Sequence, residues 1–320
     1  MPKPDILFYC GLNETNWSHH PVAPGEFACV APVYGRSKRT KTTNTVSVPP
    51  GTKIILDSGA FSDTTDTRLT FEQALFRQVA HAYRFGYVRQ VTHVASYDWL
   101  IPEKQGGIQI EPSLYDQAMA ETVRAAAYLA SMRQATQGIF MHPVSLILTA
   151  QGTNAKQYLA CAKQIVPYLS PNDMFGIGGF AATGLFPGKL LQPFKEVVRL
   201  VVPYLGSQGV KRVHVWGSCY APALAELLSL CKRYAIQLST DSSGAQRKPI
   251  LGQWGYSYWR DNLYKMPPIL ESCRAVNYKG YKVPACAPGT RCRGLERARH
   301  VEMTRKWLEN FSERELIQKL

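Results

Sequence analysis

The sequence predicts an α/β fold built on parallel strands. Two patterns carry that prediction: short apolar runs alternate with helical patterns along most of the chain, and polar residues or glycines sit at the ends of those runs. A third observation simplifies it, because no internal repeat at a solenoid period is visible.

The elements follow in order. DILFYCG (5–11) is the first strand candidate. KIILDSG (53–59) is the next, an apolar run that Asp57, Ser58 and Gly59 stop abruptly. FEQALFRQVAHAYRFG (71–86) reads as a helix, with apolar residues at helical spacing and a closing glycine. Strand VTHVASYD (91–98) is followed by helix SLYDQAMAETVRAAAYLASMRQ (113–134). Strand SLILTAQG (145–152) is followed by helix AKQYLACAKQIVPYL (155–169). Strand MFGIGGF (174–180) precedes helix LLQPFKEVVRLVVPYLG (190–206). Strand RVHVWGS (212–218) precedes helix APALAELLSLCKRYA (221–235), and IQLSTDSSG (236–244) closes the series. Seven units fit a doubly wound sheet, or a (β/α)8 barrel with one strand unread. GIGG in MFGIGGF lacks the GxGxxG spacing and the later acid of a dinucleotide site, so none is expected.

The bulk numbers bound the class. The chain has 320 residues, 45% of them hydrophobic, enough for one large domain or two smaller ones. No apolar run approaches the roughly eighteen residues of a membrane span, so no membrane partner is expected. The start, MPKPDILFYCG, lacks a signal-peptide pattern, which leads to the expectation of a cytoplasmic protein. Lys and Arg number 37 against 23 acids, a net charge of +14. Residues 245–320 hold 15 of those bases and 7 acids, and a second basic cluster is RSKRTK (36–41). Such an excess favours a polyanionic partner. Of the eight cysteines, Cys10, Cys29, Cys161, Cys219 and Cys231 fall in apolar segments and read as small core residues. The other three lie in the C-terminal region.

Asp57, Asp98, Gln151, Gly178, Gly179, Gly217, Ser218 and Asp241 all lie at or just past a strand end. In a parallel barrel such ends gather on one face, where active sites are built. The plain alternative is turn chemistry, since Asp and Gly commonly start loops. Three carboxylates on one rim permit a division of labour at a sugar anomeric carbon: one attacks, one manages a proton and one recognises. The glycines let a flat ligand approach the backbone, and Gln151 offers donors and an acceptor to a base edge. A rival reading is Mg²⁺ held by the clustered Asp. His93 and His214 fall inside strands and read as core or supporting residues.

At this point the sequence resembles the tRNA-guanine transglycosylases. DSGAFS (57–62) resembles that family's Asp-Ser-Gly-Gly-aromatic motif, and SYDWLIP (96–102) its Asp-x-x-x-Pro segment. LTAQG (148–152) resembles its Val-Gln-Gly, and GIGGF (176–180) its Gly-Gly-Leu. HVWGS (214–218) lies where the family has a Met-Gly loop, and LSTDSSGAQR (238–247) where its nucleophilic Asp precedes an Arg-bearing loop. The resemblance implies a (β/α)8 TIM barrel over residues 1–265 and a zinc-binding, basic C-terminal subdomain over 266–320. It implies that Asp241 attacks C1′ to form a covalent glycosyl intermediate and that Asp57 is the general acid and base. Asp98, Gln151, Gly178, Gly179 and Gly217 would hold the base, with Phe61 and Trp216 sandwiching its ring.

Cys273, Cys286, Cys292 and His300 have ligand types suited to structural Zn²⁺. Their spacing, C-x12-C-x5-C-x7-H, departs from the family's tighter C-x-C-x2-C with a later His. GLERARHVEMTRKWLENF (294–311) reads as a helix that could carry His300. The unfamiliar stretch 13–41, Ala60 in place of a family glycine and the lack of a Cys near Asp98 look more like the DNA-modifying branch of bacteriophages and genomic islands. That branch inserts 7-deazaguanines, typically 7-cyano-7-deazaguanine (preQ0), into DNA to evade restriction. QRKPILGQWGYSYWR (246–260) would then contact the extruded strand through Arg247, Lys248 and Arg260. The alternatives are a tRNA-guanine transglycosylase acting on an anticodon loop and a non-catalytic nucleic-acid-binding barrel. The reading allows a homodimer.

Overall fold

A computed structural model describes residues 4–12, 22–32, 46, 48–63, 65–101, 112–180, 191–219, 221–242, 276–278 and 281–283. It also describes residues 298–311 apart from 299, 300, 303 and 307. Eight parallel strands close into a barrel: β1 (Ile6–Leu12), β2 (Phe27–Val30), β3 (Lys53–Leu56), β4 (Val91–Ala95), β5 (Ser145–Ala150), β6 (Met174–Ile177), β7 (Arg212–Val215) and β8 (Gln237–Ser242). Each strand pairs with the next, and β8 returns to β1 with Tyr9 opposite Asp241. The strand missing from the sequence reading is β2, four residues long.

Helices cover the outside: α1 (Phe71–Arg84), α2 (Tyr115–Ser131), α3 (Arg133–Phe140), α4 (Ala155–Ile165), α5 (Leu191–Ser207) and α6 (Ala221–Arg233). The sequence suggests a single helix over 113–134. The chain instead ends α2 at Ser131 and starts α3 at Arg133. Thr70 caps α1 through a reciprocal pair with Gln73, at 3.2 and 3.0 Å. Asn154 caps α4 by accepting from Lys156 and Gln157 N–H.

Strand periodicity divides the core in two. In β3, Ile54 and Leu56 pack outward among the helices, whereas Ile55 faces into the barrel. In β5, Leu146, Leu148 and Ala150 point out, and Ile147 points in. Tyr9, Cys29, Ile55, Ala95, Ile147 and Met174 fill the barrel itself, which is a packed core rather than a channel. Residues after a strand's last inward position therefore project from the C-terminal mouth.

The described part of 298–311 is largely helical, and Val301, Leu308 and Phe311 are buried in the same outer core as the barrel helices. Asp5 N–H donates to the Glu309 carbonyl at 3.0 Å, and Arg305 pairs with Glu26. Val276–Tyr278 and Tyr281–Val283 form an antiparallel pair, β9 and β10. The expected zinc ligands Cys273, Cys286, Cys292 and His300 lie outside the described residues, as do Arg247, Lys248 and Arg260. No helix among the described residues is long and apolar enough to cross a membrane.

Candidate functional site

Asp57 follows β3, and its N–H continues the ladder by donating to Val30 at 2.9 Å. Gln78 of α1 anchors this tip. Its side-chain amide lies within 3.2 Å of the Leu56 and Asp57 carbonyls and 3.0 Å of the Ala95 carbonyl, tying the ends of β3 and β4 together. The chain then turns sharply at Gly59, whose φ of 76° favours glycine. Arg77 locks the turn by donating to the Ser58 carbonyl at 2.6 Å and pairing with Asp63 at 2.9 Å. Burial, with the nearby Asp241 and Asp98 charges, pushes the Asp57 carboxyl up to about 7. The Ser58 and Gly59 amides oppose that shift.

Asp98 is buried beyond β4. Its Oδ2 accepts from Gln151 Nε2 at 2.5 Å, a contact between the ends of β4 and β5. Arg68 lies over the rings of Tyr97 and Trp99, 4.4 and 4.6 Å from their centres, and donates to the Asp98 carbonyl at 3.2 Å. Burial raises the Asp98 carboxyl above the usual carboxylate range, while Gln151 and Arg68 pull it back down. Gln151 is fully buried, and its Oε1 has no hydrogen-bond partner among the described residues.

Gly178 makes room for that amide. A Cβ on Gly178 would sit 2.1 Å from Gln151 Nε2. The Gly178 N–H donates to Ala150 at 3.1 Å, and its carbonyl accepts from the Tyr158 hydroxyl at 2.7 Å. Its contribution is therefore clearance. Gly179 follows with φ of 84°.

Asp241 lies near the end of β8, with its side chain 15% exposed. Both donors found on it reach the same oxygen. Gly217 N–H meets Oδ1 at 2.7 Å and His214 Nε2 meets it at 3.3 Å. The His214 Nδ1 lies 3.0 Å from the Ser239 hydroxyl. The same hydroxyl lies 3.2 Å from the Val213 carbonyl, so its one proton has two acceptors in reach. Trp216 packs edge-on to His214 with ring centres 4.5 Å apart, and its indole N–H donates to Thr149 Oγ1 at 2.9 Å. Phe61 is 45% exposed on the turn after Gly59.

Asp57, Asp98, Gln151, Gly178, Gly179, Trp216, Gly217 and Asp241 thus share the C-terminal mouth, with Phe61 on the turn that follows Gly59. Sequence reasoning places His214 among core or supporting residues, and the structure shows that the group it supports is Asp241. The position of His214 two residues before Trp216 and three before Gly217, on one strand, was the available signal. Cys29, a core residue by its apolar sequence context, is buried. Burial and the charges of Asp241 and Asp57 push its thiol well up, which marks it as part of the low-dielectric floor under the carboxylates. Among the described residues, no three His, Cys, Asp or Glu side chains are grouped to hold a metal ion.

No family model matches the sequence, and the search of curated proteins found no match.

Proposed function

We propose that the protein is a DNA-guanine transglycosylase. It exchanges guanine in DNA for a 7-deazaguanine, preQ0 or a relative, as protection against restriction. The observation that carries this reading is the set of three carboxylates at one barrel mouth, each in a different environment. Asp57 is held near 7, where it can both give and take a proton around neutral pH. Asp98 is joined to Gln151, so that the pair offers acceptors to the N1–H and N2–H donors of a guanine edge. Asp241 has Oδ1 held by two N–H groups, leaving Oδ2 to attack.

The steps balance without an added co-reactant. Asp241 Oδ2 forms a bond to C1′ as the C1′–N9 bond breaks, and protonated Asp57 gives its proton to the departing guanine. The incoming deazaguanine then loses its N9 proton to Asp57 and attacks C1′, releasing the Asp241 carboxylate. The target base must leave the stack to reach the mouth, and the net charge of +14 favours the polyanionic substrate. A structural Zn²⁺ on Cys273, Cys286, Cys292 and His300 belongs to the same reading, and would hold the C-terminal region together.

The test is base exchange. The protein is incubated with preQ0 and either duplex DNA or unmodified tRNA, and the digested nucleosides are weighed by mass spectrometry. The expected result is a deazaguanine deoxynucleoside that disappears with Asp241→Asn. Product from tRNA alone would reassign the substrate, and no product from either polymer would overturn the catalytic reading.

A further inference from the structure

The opposite end of the barrel carries a cavity. It has a volume of about 410 Å³ and opens at the N-terminal ends of the strands, away from the three carboxylates. Lys53 and Arg212, the first residues of β3 and β7, lie on its lining together with Tyr9, Phe27, His93 and Ser239. No carboxylate lines it. Among the described residues neither cation is ion-paired. Arg212 donates to the Asn172 carbonyl at 3.3 Å, and the Lys53 ammonium lies 5.2 Å from the centre of the Phe27 ring.

His93 adds a second demand. It is 7% exposed, and its Nε2 has no hydrogen-bond partner among the described residues. The hydrogen bonds around it fix its tautomer. The Thr92 hydroxyl donates to the Ile54 carbonyl at 3.1 Å, so its oxygen accepts from His93 Nδ1–H at 3.0 Å. Nε2 of a neutral ring is then a bare acceptor. Burial above all, with Arg212 and His214 adding to it, pushes the imidazole down to about 3, so the ring stays neutral. A buried acceptor without a donor is costly, and a ligand with a hydroxyl would relieve it.

We propose that this cavity binds a small phosphate-bearing anion. The phosphate charge is held by Lys53 and Arg212 while a P–OH donates to His93 Nε2. The anion must bring both a negative charge and a proton to donate. Hydrogen phosphate and protonated phosphomonoesters do so near neutral pH. Sulfate has the same tetrahedral shape and charge, but no proton to give. The inference is independent of the chemistry at the other mouth.

The experiment is calorimetric titration of the full chain with inorganic phosphate, glycerol phosphate and sulfate near neutral pH. Phosphate should bind at least ~10-fold more tightly than sulfate, the ratio expected when one buried acceptor is left unmet. Arg212→Gln and Lys53→Gln should each weaken phosphate roughly 10-fold, as the loss of one charge-assisted contact does. Lys53 is exposed at the start of its strand, so its variant tests the site even if Arg212→Gln fails to fold. Titration of ¹⁵N-histidine-labelled protein should move the His93 Nε2 resonance. Tighter binding of glycerol phosphate would name the ester as the ligand, and tighter binding of phosphate the free ion. No binding of either, equal binding of sulfate, or affinity unchanged in both cation variants would overturn the proposal.

Discussion

Replacing Asp57 by Asn should change stability in a way that depends on pH. In the folded protein the carboxyl titrates at about 7, against 3.8 for an ordinary one. Between those values the folded state keeps a proton that the unfolded chain has released. Stability from this group is thus fully present below the unfolded value and is lost as pH rises through the folded one. A gap of about three units at 1.36 kcal/mol per unit amounts to about 4 kcal/mol. Asn carries no charge, so the variant escapes that loss. The difference in unfolding free energy, variant minus wild type, should therefore grow by up to about 4 kcal/mol from acid to mildly alkaline pH. It should be flat beyond either limit. Any constant offset from the new amide does not alter the slope. Urea unfolding of both proteins across that range measures it. The charges of Asp241 and Asp98 both raise Asp57, so Asp241→Asn in the wild-type background should shallow the wild-type curve. Parallel pH curves for wild type and Asp57→Asn would refute the environment assigned to Asp57, and with it the proton donor of the proposed reaction.

Two more outcomes follow from the same mouth. Gly178→Ala puts a methyl group 2.1 Å from Gln151 Nε2 and 2.9 Å from Thr149 Cγ2, so the Asp98–Gln151 contact must break. Thermal and urea unfolding should show a loss of about 2–4 kcal/mol, and base exchange should fall through a raised KM for the incoming base. His214→Phe removes one of the two donors on Asp241 Oδ1 while keeping a ring against Trp216. Exchange kinetics should then show kcat down ~10–100-fold with KM little changed, the pattern of a positioning residue. His214→Gln, which retains a donor, should recover part of it.

Local pattern told much of this fold because a strand or helix is written in a few neighbouring residues. KIIL and SLILTA read as strands and form them, since their branched apolar side chains suit a pleated surface buried on both faces. The glycine after α1 and the carboxylate after β3 mark element ends for equally local reasons. The short FACV run of β2 escaped notice because four residues carry little periodicity by themselves, and its partners lie on β1 and β3. Within 113–134 the apolar spacing runs on, so the break at Met132 was not legible either.

By itself, then, the sequence determined the order of strands and helices and the residue types at each strand end, because backbone and side-chain sterics act over a few residues. Tertiary structure alone decided that β8 meets β1, which turned a series of units into a closed ring. It also decided which tips touch. Gln151 reaches Asp98 across 53 positions, and His214 and Gly217 reach one oxygen of Asp241 from the neighbouring strand. The state of Asp57 belongs to this second class, because it depends on burial and on charges carried by β8 and the end of β4. Electrostatics acts through space, and only closure of the barrel fixes those separations.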